Sequence, residues 1–218
     1  EAVCRRFGLV LIEDAAESLG TYYKGRHTGA WGQLSILSFN GNKTVTTGGG
    51  GAILTNDADL AHTARHLTTT AKVPHAWDFV HDRIGFNYRM PNVNAAIGCA
   101  QLERLDDFVE RKRRLAQAYA AALDGIAGVR FFAEPEFARS NYWLNLFLLD
   151  PGMAHCRDDL LTLCHERGLL ARPAWTPMHQ LAVYADEERM DLGVAEDIYR
   201  RLINLPSSPR LAPSGKVE

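Results

Sequence analysis

The sequence predicts an α/β protein in which a mainly parallel sheet is followed by a smaller α+β domain. Three observations support this class. A fully apolar run at Gly8–Ile12 ends in two acidic residues, as is typical of a buried parallel strand. A helical pattern over 57–67 follows two further strand patterns. Beyond residue 125, strand patterns again alternate with helical ones.

The first elements follow one another in a regular order. Apolar β-prone runs occur at Gly8–Ile12, Ser35–Phe39 and Gly51–Thr55. The helix at 57–67 has Asn56 or Asp57 available as its N-cap. Residues 68–92 contain two prolines and several aromatic residues without a period. This stretch therefore predicts a long connection, and loops of that length are usually functional or disordered.

Two helical patterns, at 95–105 and 106–123, separate this region from the rest of the chain. The second carries a charged face and ends before Gly125 and Gly128. Strand patterns follow at 129–132, 142–149 and 169–172, with helical patterns at about 157–167 and 194–203. A boundary near residue 105 is therefore predicted, which gives domains 1–105 and 106–218.

Composition excludes several classes of protein. The 218 residues carry 24 Lys+Arg against 26 Asp+Glu, a net charge of -2, and 46% are hydrophobic. This balance is typical of a soluble globular chain and gives no reason to expect nucleic acid as a partner. No apolar run approaches the roughly 20 residues of a membrane helix. The four cysteines form no C-x-x-C pair, which favours reduced thiols and a cytoplasmic location.

Lys43 is the first candidate for chemistry, because it lies in a Gly/Asn/Thr-rich turn just past a strand. A phosphate-loop motif needs Gly immediately before the lysine, and Asn42 stands there instead. The following glycine run fails the dinucleotide fingerprint, whose third Gly would fall at Ile53. A lysine at a sheet edge can act as a Schiff-base nucleophile. The alternative is a solvated turn lysine.

Asp14 and Ser38 add to this hypothesis. A carboxylate that closes a buried strand is costly unless it meets a cation or hydrogen-bond donors. The protonated pyridine nitrogen of pyridoxal phosphate would satisfy Asp14; the alternative is a helix N-cap over 15–17. Ser38 could donate to a phosphate or be a plain strand-end serine. His62 and His66 are spaced like metal ligands but lack a third ligand, so a solvated helix face and no metal site are predicted.

The motifs taken together resemble the DegT/DnrJ/EryC1/StrS family of nucleotide-sugar aminotransferases, which are fold-type-I pyridoxal-phosphate enzymes. The similarity covers nearly the whole chain, and its motifs come in the family's order. They are Glu13-Asp14-Ala15-Ala16-Glu17-Ser18-Leu19-Gly20, Ser38-Phe39-x-x-x-Lys43, Thr46-Thr47-Gly48-Gly49-Gly50-Gly51, Gly85-Phe86-Asn87-Tyr88-Arg89-Met90, Gln101-Leu102-Glu103, Arg172-Pro173-x4-Met178-His179 and Asn204-Leu205-Pro206-Ser207-Ser208-Pro209.

The resemblance implies that 1–105 is part of a cofactor-binding large domain and 106–218 a small domain. It also implies roles for individual residues. Lys43 would form the Schiff base with pyridoxal phosphate and later move the proton. Asp14 would pair with the pyridine nitrogen, and Ser38 would donate to the phosphate. Glu17 takes a position usually held by Gln or His, near the cofactor's phenolic oxygen.

Further roles implied by the resemblance concern the partners. Asn87 would reach the phosphate in the neighbouring subunit of a homodimer with a shared active site. Arg89 and His179 resemble residues on the substrate side. The implied substrates are a nucleotide-linked keto sugar and an amino-acid donor, expected to be glutamate. The stretch Thr68–His75 is similar to the branch that serves legionaminic-type sugar synthesis.

Family members are much longer than this chain, and the part without a counterpart is the N-terminal stretch of the large domain. The resemblance therefore implies an N-terminally truncated chain that lacks a phosphate contact and an aromatic residue that stacks on the cofactor. One alternative is a catalytically incomplete fragment or an inactive aminotransferase-like partner protein. A DNA-binding regulator is another, although no basic winged-helix segment precedes the domain. Glycine hydroxymethyl or racemase chemistry on the same cofactor is a third.

Overall fold

The computed structural model describes residues 1–214, and their main chain divides into two compact units. The first unit holds Glu1–Val109 and Pro135–Trp143. The second holds Glu110–Glu134 and the chain from Leu144 onward. Both units mix helices with sheets, so the predicted α/β class is confirmed.

The described residues contain six α-helices and ten short strands. The helices are α1 Ala2–Phe7, α2 Ala58–Thr68, α3 Asn92–Leu102, α4 Leu105–Leu123, α5 Arg157–Glu166 and α6 Gly193–Arg201. The strands are β1 Ile12–Asp14, β2 Tyr22–Tyr23, β3 Arg26–His27, β4 Leu34–Ser38, β5 Gly51–Leu54, β6 Val129–Phe131, β7 Ala138–Arg139, β8 Asn145–Leu149, β9 Arg172–Pro173 and β10 Leu202–Leu205. Among residues 1–214, no helix has both the length and the apolar character that crossing a bilayer requires.

The main sheet of the first unit has the strand order β1-β4-β5 and is mixed rather than mainly parallel. β1 runs parallel to β4, with Asp14 opposite Ile36. β5 runs antiparallel to β4, with Gly51 opposite Ser38. The connection over 39–50 contains no helix, and a parallel pair normally needs a helical crossover between its strands. The chain therefore returns along β4 in the opposite direction.

The first strand lies later in the chain than its apolar run predicts. The run at 8–12 was expected to be a buried strand, yet only Ile12–Asp14 pairs with β4. Gly8 instead ends α1 in the left-handed region, at φ 62°. Leu9 and Val10 are more than half exposed. Pairing with β4, rather than apolar character alone, decides where the strand begins.

The helix α2 confirms its prediction. The Asp57 side chain accepts hydrogen bonds from the backbone N–H groups of Asp59 and Leu60, as an N-cap does.

The core of the first unit consists of a cluster of buried apolar residues. They are Ala15, Leu37, Phe39 and Val45.

The stretch between α2 and α3 forms an arm, defined here as residues 69–88. Backbone bridges join Thr69 to Asn87 and Lys72 to His81. Gly85 is required at the base of the arm, because a Cβ there would lie 2.3 Å from the carbonyl carbon of Thr70. The predicted long connection is therefore an ordered, hairpin-like excursion.

The second unit is built on an antiparallel sheet with the order β6-β8-β10-β9. The centre of this unit is fully buried, since Leu149 and Ile203 are 0% exposed. The helical pattern at 194–203 was predicted too long, because β10 begins at Leu202 and pairs with β8. The strand predicted over 142–149 begins only at Asn145, since Tyr142 has a φ of 46° that no strand residue adopts.

Lys112 is a buried lysine whose pKa lies below its usual value. Its side chain lies in the second unit, is almost fully buried and donates to the backbone oxygen of Ser207 at 2.5 Å. Burial lowers the pKa of Lys112 from 10.5 to about 8, because the charged form loses its hydration. The unfolded chain restores a pKa near 10.4.

This shift predicts a stability that rises with pH. Between about pH 8 and pH 10.5 the unfolded state binds more protons than the folded state, so the free energy of unfolding should increase by about 2–3 kcal/mol. Urea unfolding at a series of pH values would measure the rise. Lys112→Met should flatten it, while Lys24→Met, at an exposed lysine, should not. Parallel curves for the wild type and Lys112→Met would show that burial does not control this amine.

Candidate active site

The site begins at the carboxyl edge of the two parallel strands. β1 ends at Asp14 and β4 ends at Ser38, and strands that run in the same direction bring their ends to the same edge. The backbone N–H of Ala15 continues the ladder by donating to the oxygen of Ile36 at 3.0 Å. Asp14 is therefore the last residue of a strand, as the sequence predicted, and Ser38 is the last residue of the neighbouring strand.

Glu13 and Asp14 have different surroundings although they are adjacent. The Glu13 carboxylate accepts backbone hydrogen bonds from Gly29 at 2.8 Å and from Gly32 at 2.6 Å, with a third from Trp31. Asp14 accepts one, from the N–H of Ala16 at 3.1 Å, and is exposed. Glu13 thus holds the following loop in place, whereas Asp14 keeps an open carboxylate. The segment after Asp14 is a turn, so Asp14 caps no helix.

Lys43 lies in the turn that follows β4. Its backbone N–H donates to the oxygen of Asn40 at 3.0 Å, and the next two residues are buried. Its side chain is 13% exposed, which excludes the solvated turn lysine considered from the sequence. The Lys43 Nζ donates to Glu17 Oε1 at 3.2 Å. Because Glu17 itself is 57% exposed, solvent screens this pair, and its contribution to stability is small.

Trp143 is a contact of Lys43 that sequence analysis missed. The Lys43 Nζ lies 4.0 Å from the centroid of the Trp143 ring, in cation–π geometry. The indole Nε1–H donates to the backbone oxygen of Asn42 at 2.8 Å. Trp143 lies about a hundred positions further along the chain and was predicted to be part of a strand. No local pattern could have revealed this contact.

The remaining candidates lie elsewhere. Asn87 and Arg89 follow one another at the exit of the arm, and both are exposed. Arg89 lines a mostly apolar groove of about 700 Å³ between the sheet, α2 and the start of α3, and Lys43 is not among its lining residues. His179 lies in the second unit, where its Nε2 is 2.9 Å from Glu196 Oε1. The structure thus brings together Lys43 and Glu17 directly, with Asp14 and Ser38 on the adjoining strand ends.

Around His62 and His66, as elsewhere in residues 1–214, no group of three His, Cys, Asp or Glu side chains that could hold a metal ion occurs. His66 Nε2 instead lies 2.6 Å from Asp82 Oδ1, which ties the end of α2 to the arm. The hydrogen bond from His66 holds the pKa of Asp82 below its usual value. This contact is structural and contributes no chemistry at Lys43.

Comparison with known proteins gives one consistent result. The model of the DegT/DnrJ/EryC1/StrS aminotransferase family matches residues 1–216. EpsN of Bacillus subtilis is 41% identical over 214 residues, covering 96% of this chain and 54% of EpsN. GDP-perosamine synthase of Escherichia coli O157:H7 is 39% identical over 204 residues, covering 94% and 54%.

A solved structure agrees with these relatives. The aminotransferase TlmJ from Streptoalloteichus hindustanus superposes with a TM-score of 0.89 and 29% identity, covering 98% of this chain and 57% of TlmJ. The chain therefore spans about half the length of the curated relatives and of the solved structure that it matches.

Proposed function

Because the chain belongs to the DegT/DnrJ/EryC1/StrS aminotransferase family, we propose that it takes part in transferring an amino group to a keto sugar carried on a nucleotide. We propose pyridoxal phosphate as the cofactor and glutamate as the amino donor. The observation that carries this proposal is the position of Lys43. A largely buried amine lies between a carboxylate and an aromatic ring, beside two strand ends that carry Asp14 and Ser38.

The donor set at this edge fits pyridoxal phosphate. The cofactor needs an amine for covalent attachment, an anion for its ring nitrogen and donors for its phosphate. Lys43 would supply the amine, the open carboxylate of Asp14 the anion, and the Ser38 hydroxyl one donor. When bound, the cofactor supplies an electron sink for the carbon that loses its proton. EpsN carries the name of a pyridoxal phosphate-dependent aminotransferase, which supports this choice.

Lys43 has a second task beyond attachment. Amino transfer requires a base that removes a proton from one carbon and returns it at another, and the amine of Lys43 is the base proposed here. Glu17 and Trp143 restrict where this amine can reach. An arginine at position 43 would keep the charge but could not give up its proton.

The substrate class is supported by the names of relatives. GDP-perosamine synthase and a dTDP-4-dehydro-2,3,6-trideoxy-D-glucose 4-aminotransferase of Saccharopolyspora spinosa both act on sugars attached to nucleotides. We propose the same class for this chain. The legionaminic-type sugar indicated by Thr68–His75 stays a prediction.

The four cysteines of the chain are free, which is consistent with the proposed cytoplasmic location.

We propose further that the protein works as a homodimer with a shared site. The arm exposes several large apolar side chains, and exposed apolar surface beyond scattered single residues marks interaction sites. Trp77 is 76% exposed, Phe79 78%, Ile84 87% and Tyr88 75%. Asn87 lies in the same arm, so a partner that covers the arm would also meet this amide.

Complementation between two inactive variants tests the function and the shared site together. Lys43→Ala removes the amine, and Asn87→Asp places a negative charge where a phosphate is expected, so each variant alone should be inactive. Co-produced, they should form mixed dimers with one intact site and recover up to about a quarter of wild-type turnover. Turnover is measured as conversion of L-glutamate and a nucleotide-linked keto sugar to 2-oxoglutarate and the amino sugar.

In the matched control, a chain that carries both substitutions is co-produced with the wild-type chain. The dimers that contain two wild-type chains should then remain active. No recovery in the first mixture would contradict the shared site. A wild-type protein that converts none of a panel of nucleotide-linked keto sugars with pyridoxal phosphate present would contradict the function itself, and would favour the inactive-partner alternative.

A further inference from the structure

A distant part of the chain holds the Lys43 turn in place. The Asn141–Trp143 segment, defined as residues 141–143, belongs to the first unit together with the site. It follows β7, which pairs with β2 through Tyr23 opposite Ala138. This pairing brings residues that lie about a hundred positions from Lys43 into the neighbourhood of the turn.

Asn141 is the buried centre of this segment, at 2% exposure. Its Nδ2 amide donates to the backbone oxygens of Glu17 at 2.9 Å and Leu19 at 3.0 Å, and lies 3.4 Å from Thr44 Oγ1. Its Oδ1 accepts from the backbone N–H of Trp143 at 2.8 Å. One side chain therefore connects the loop that carries Glu17, the turn that carries Lys43 and the segment that carries Trp143.

The chemistry of an amide is required at this position. The two backbone oxygens each need an N–H donor and the N–H of Trp143 needs an acceptor, and only Asn or Gln offers two such donors and an acceptor in one side chain. A carboxylate would leave two part-buried carbonyl oxygens without a donor and would face them with negative charge. The contacts of Asn141 thus define it as a connector between loops rather than as a surface residue.

Tyr142 directs Trp143 toward the site. Its φ of 46° lies in the left-handed region, which non-glycine residues rarely adopt unless the surrounding structure holds them there. After this turn the Trp143 ring lies over the Lys43 Nζ at 4.0 Å, and its Nε1–H fixes the backbone of Asn42. Glu17 contacts the same amine at 3.2 Å.

We propose that Asn141 and Trp143 are positioning residues for Lys43. Asn141 fixes the spacing between the Glu17 loop and the Lys43 turn. The Trp143 ring restricts the positions that the Lys43 Nζ can take, and so keeps this amine where it reacts. This inference rests on the proposed function, because it assigns Lys43 the reacting amine. It adds two residues that act on the reaction through Lys43.

The test compares two Trp143 variants that remove different parts of the side chain. Trp143→Leu removes both the ring face and the N–H, whereas Trp143→Phe keeps a ring face. In Trp143→Leu, kcat should fall about tenfold to a hundredfold, because misplacing a reacting group slows chemistry more than binding, while KM should stay within about threefold. Trp143→Phe should recover most of the lost kcat.

A second readout needs neither cofactor nor turnover. In the cofactor-free protein, the rate at which Lys43 is acylated by acetic anhydride is measured by peptide mass spectrometry relative to Lys72. It should rise about threefold in Trp143→Leu, because the amine is no longer held against the ring, and stay near wild type in Trp143→Phe. The control Phe7→Leu removes an exposed aromatic ring that contacts Arg6 and should leave Lys43 unchanged.

The outcomes separate the two proposals. If Lys43→Ala leaves turnover intact, the proposed function fails, whereas the acylation rates still decide whether Trp143 holds the amine. If Lys43→Ala abolishes turnover but Trp143→Leu matches Phe7→Leu in kcat and acylation, the positioning role is wrong. Asn141→Asp should raise the acylation of Lys43 as well. Should that variant fail to fold, the Trp143 pair decides alone.

Discussion

Replacing Lys43 by alanine should lower turnover at least about a thousandfold and remove the covalent cofactor link, since the proposed function gives this amine the roles of attachment point and base. Borohydride reduction of the cofactor-loaded wild type should leave a pyridoxyl mass on the peptide that contains Lys43. The variant should carry none. Peptide mass spectrometry and the amino-transfer assay measure the two effects on the same preparation.

Lys43→Arg distinguishes chemistry from structure. Arginine keeps the positive charge that contacts Glu17 and the Trp143 ring, so the fold should be retained. It cannot give up a proton, so label and turnover should still be lost. Lys24→Ala and Lys72→Ala serve as controls and should label normally on Lys43. A pyridoxyl mass on Lys24 or Lys72 of the wild type would refute the assignment.

Asp14→Asn should weaken cofactor binding at least about tenfold, because a hydrogen bond to a charged group contributes about 1.5–3 kcal/mol. The amide keeps the shape of the side chain but cannot stabilise a protonated ring nitrogen. Turnover should therefore fall further than affinity, since the protonated ring is the better electron sink. Equilibrium dialysis of the cofactor and steady-state kinetics give the two numbers.

Asp57→Asn is the matched control for this experiment. It makes the same change at the N-cap of α2, where Asn caps as well as Asp, so affinity and turnover should stay at wild-type values. Equal behaviour of Asp14→Asn and Asp57→Asn would remove Asp14 from the site. Loss of affinity without further loss of turnover would make Asp14 an anchor of the cofactor only.

Several features were readable from the sequence because they depend on neighbours in the chain. The cap of α2 by Asp57 follows from residues within three positions. The strand β4 and the turn after it follow from an apolar run that ends in Asn and Gly residues. Asp14 ends β1 and Lys43 lies in the turn after β4, and their roles stay predictions; the ordered motifs around them identified the family that the comparisons confirm.

Other features were decided by tertiary structure. The antiparallel return of β5 and the late start of β1 depend on which strand each one meets. An apolar run has the same appearance whether or not a partner covers it, so Leu9 and Val10 were expected in a buried strand although they are exposed.

The surroundings of the reactive lysine also come from tertiary structure. Glu17, Asn141 and Trp143 meet at the Lys43 turn through hydrogen bonds and a ring contact that span up to 124 positions. Single contacts of this kind have no period and no spacing rule. The sequence by itself therefore determined which lysine is the candidate, and only the fold determined which side chains contact its amine.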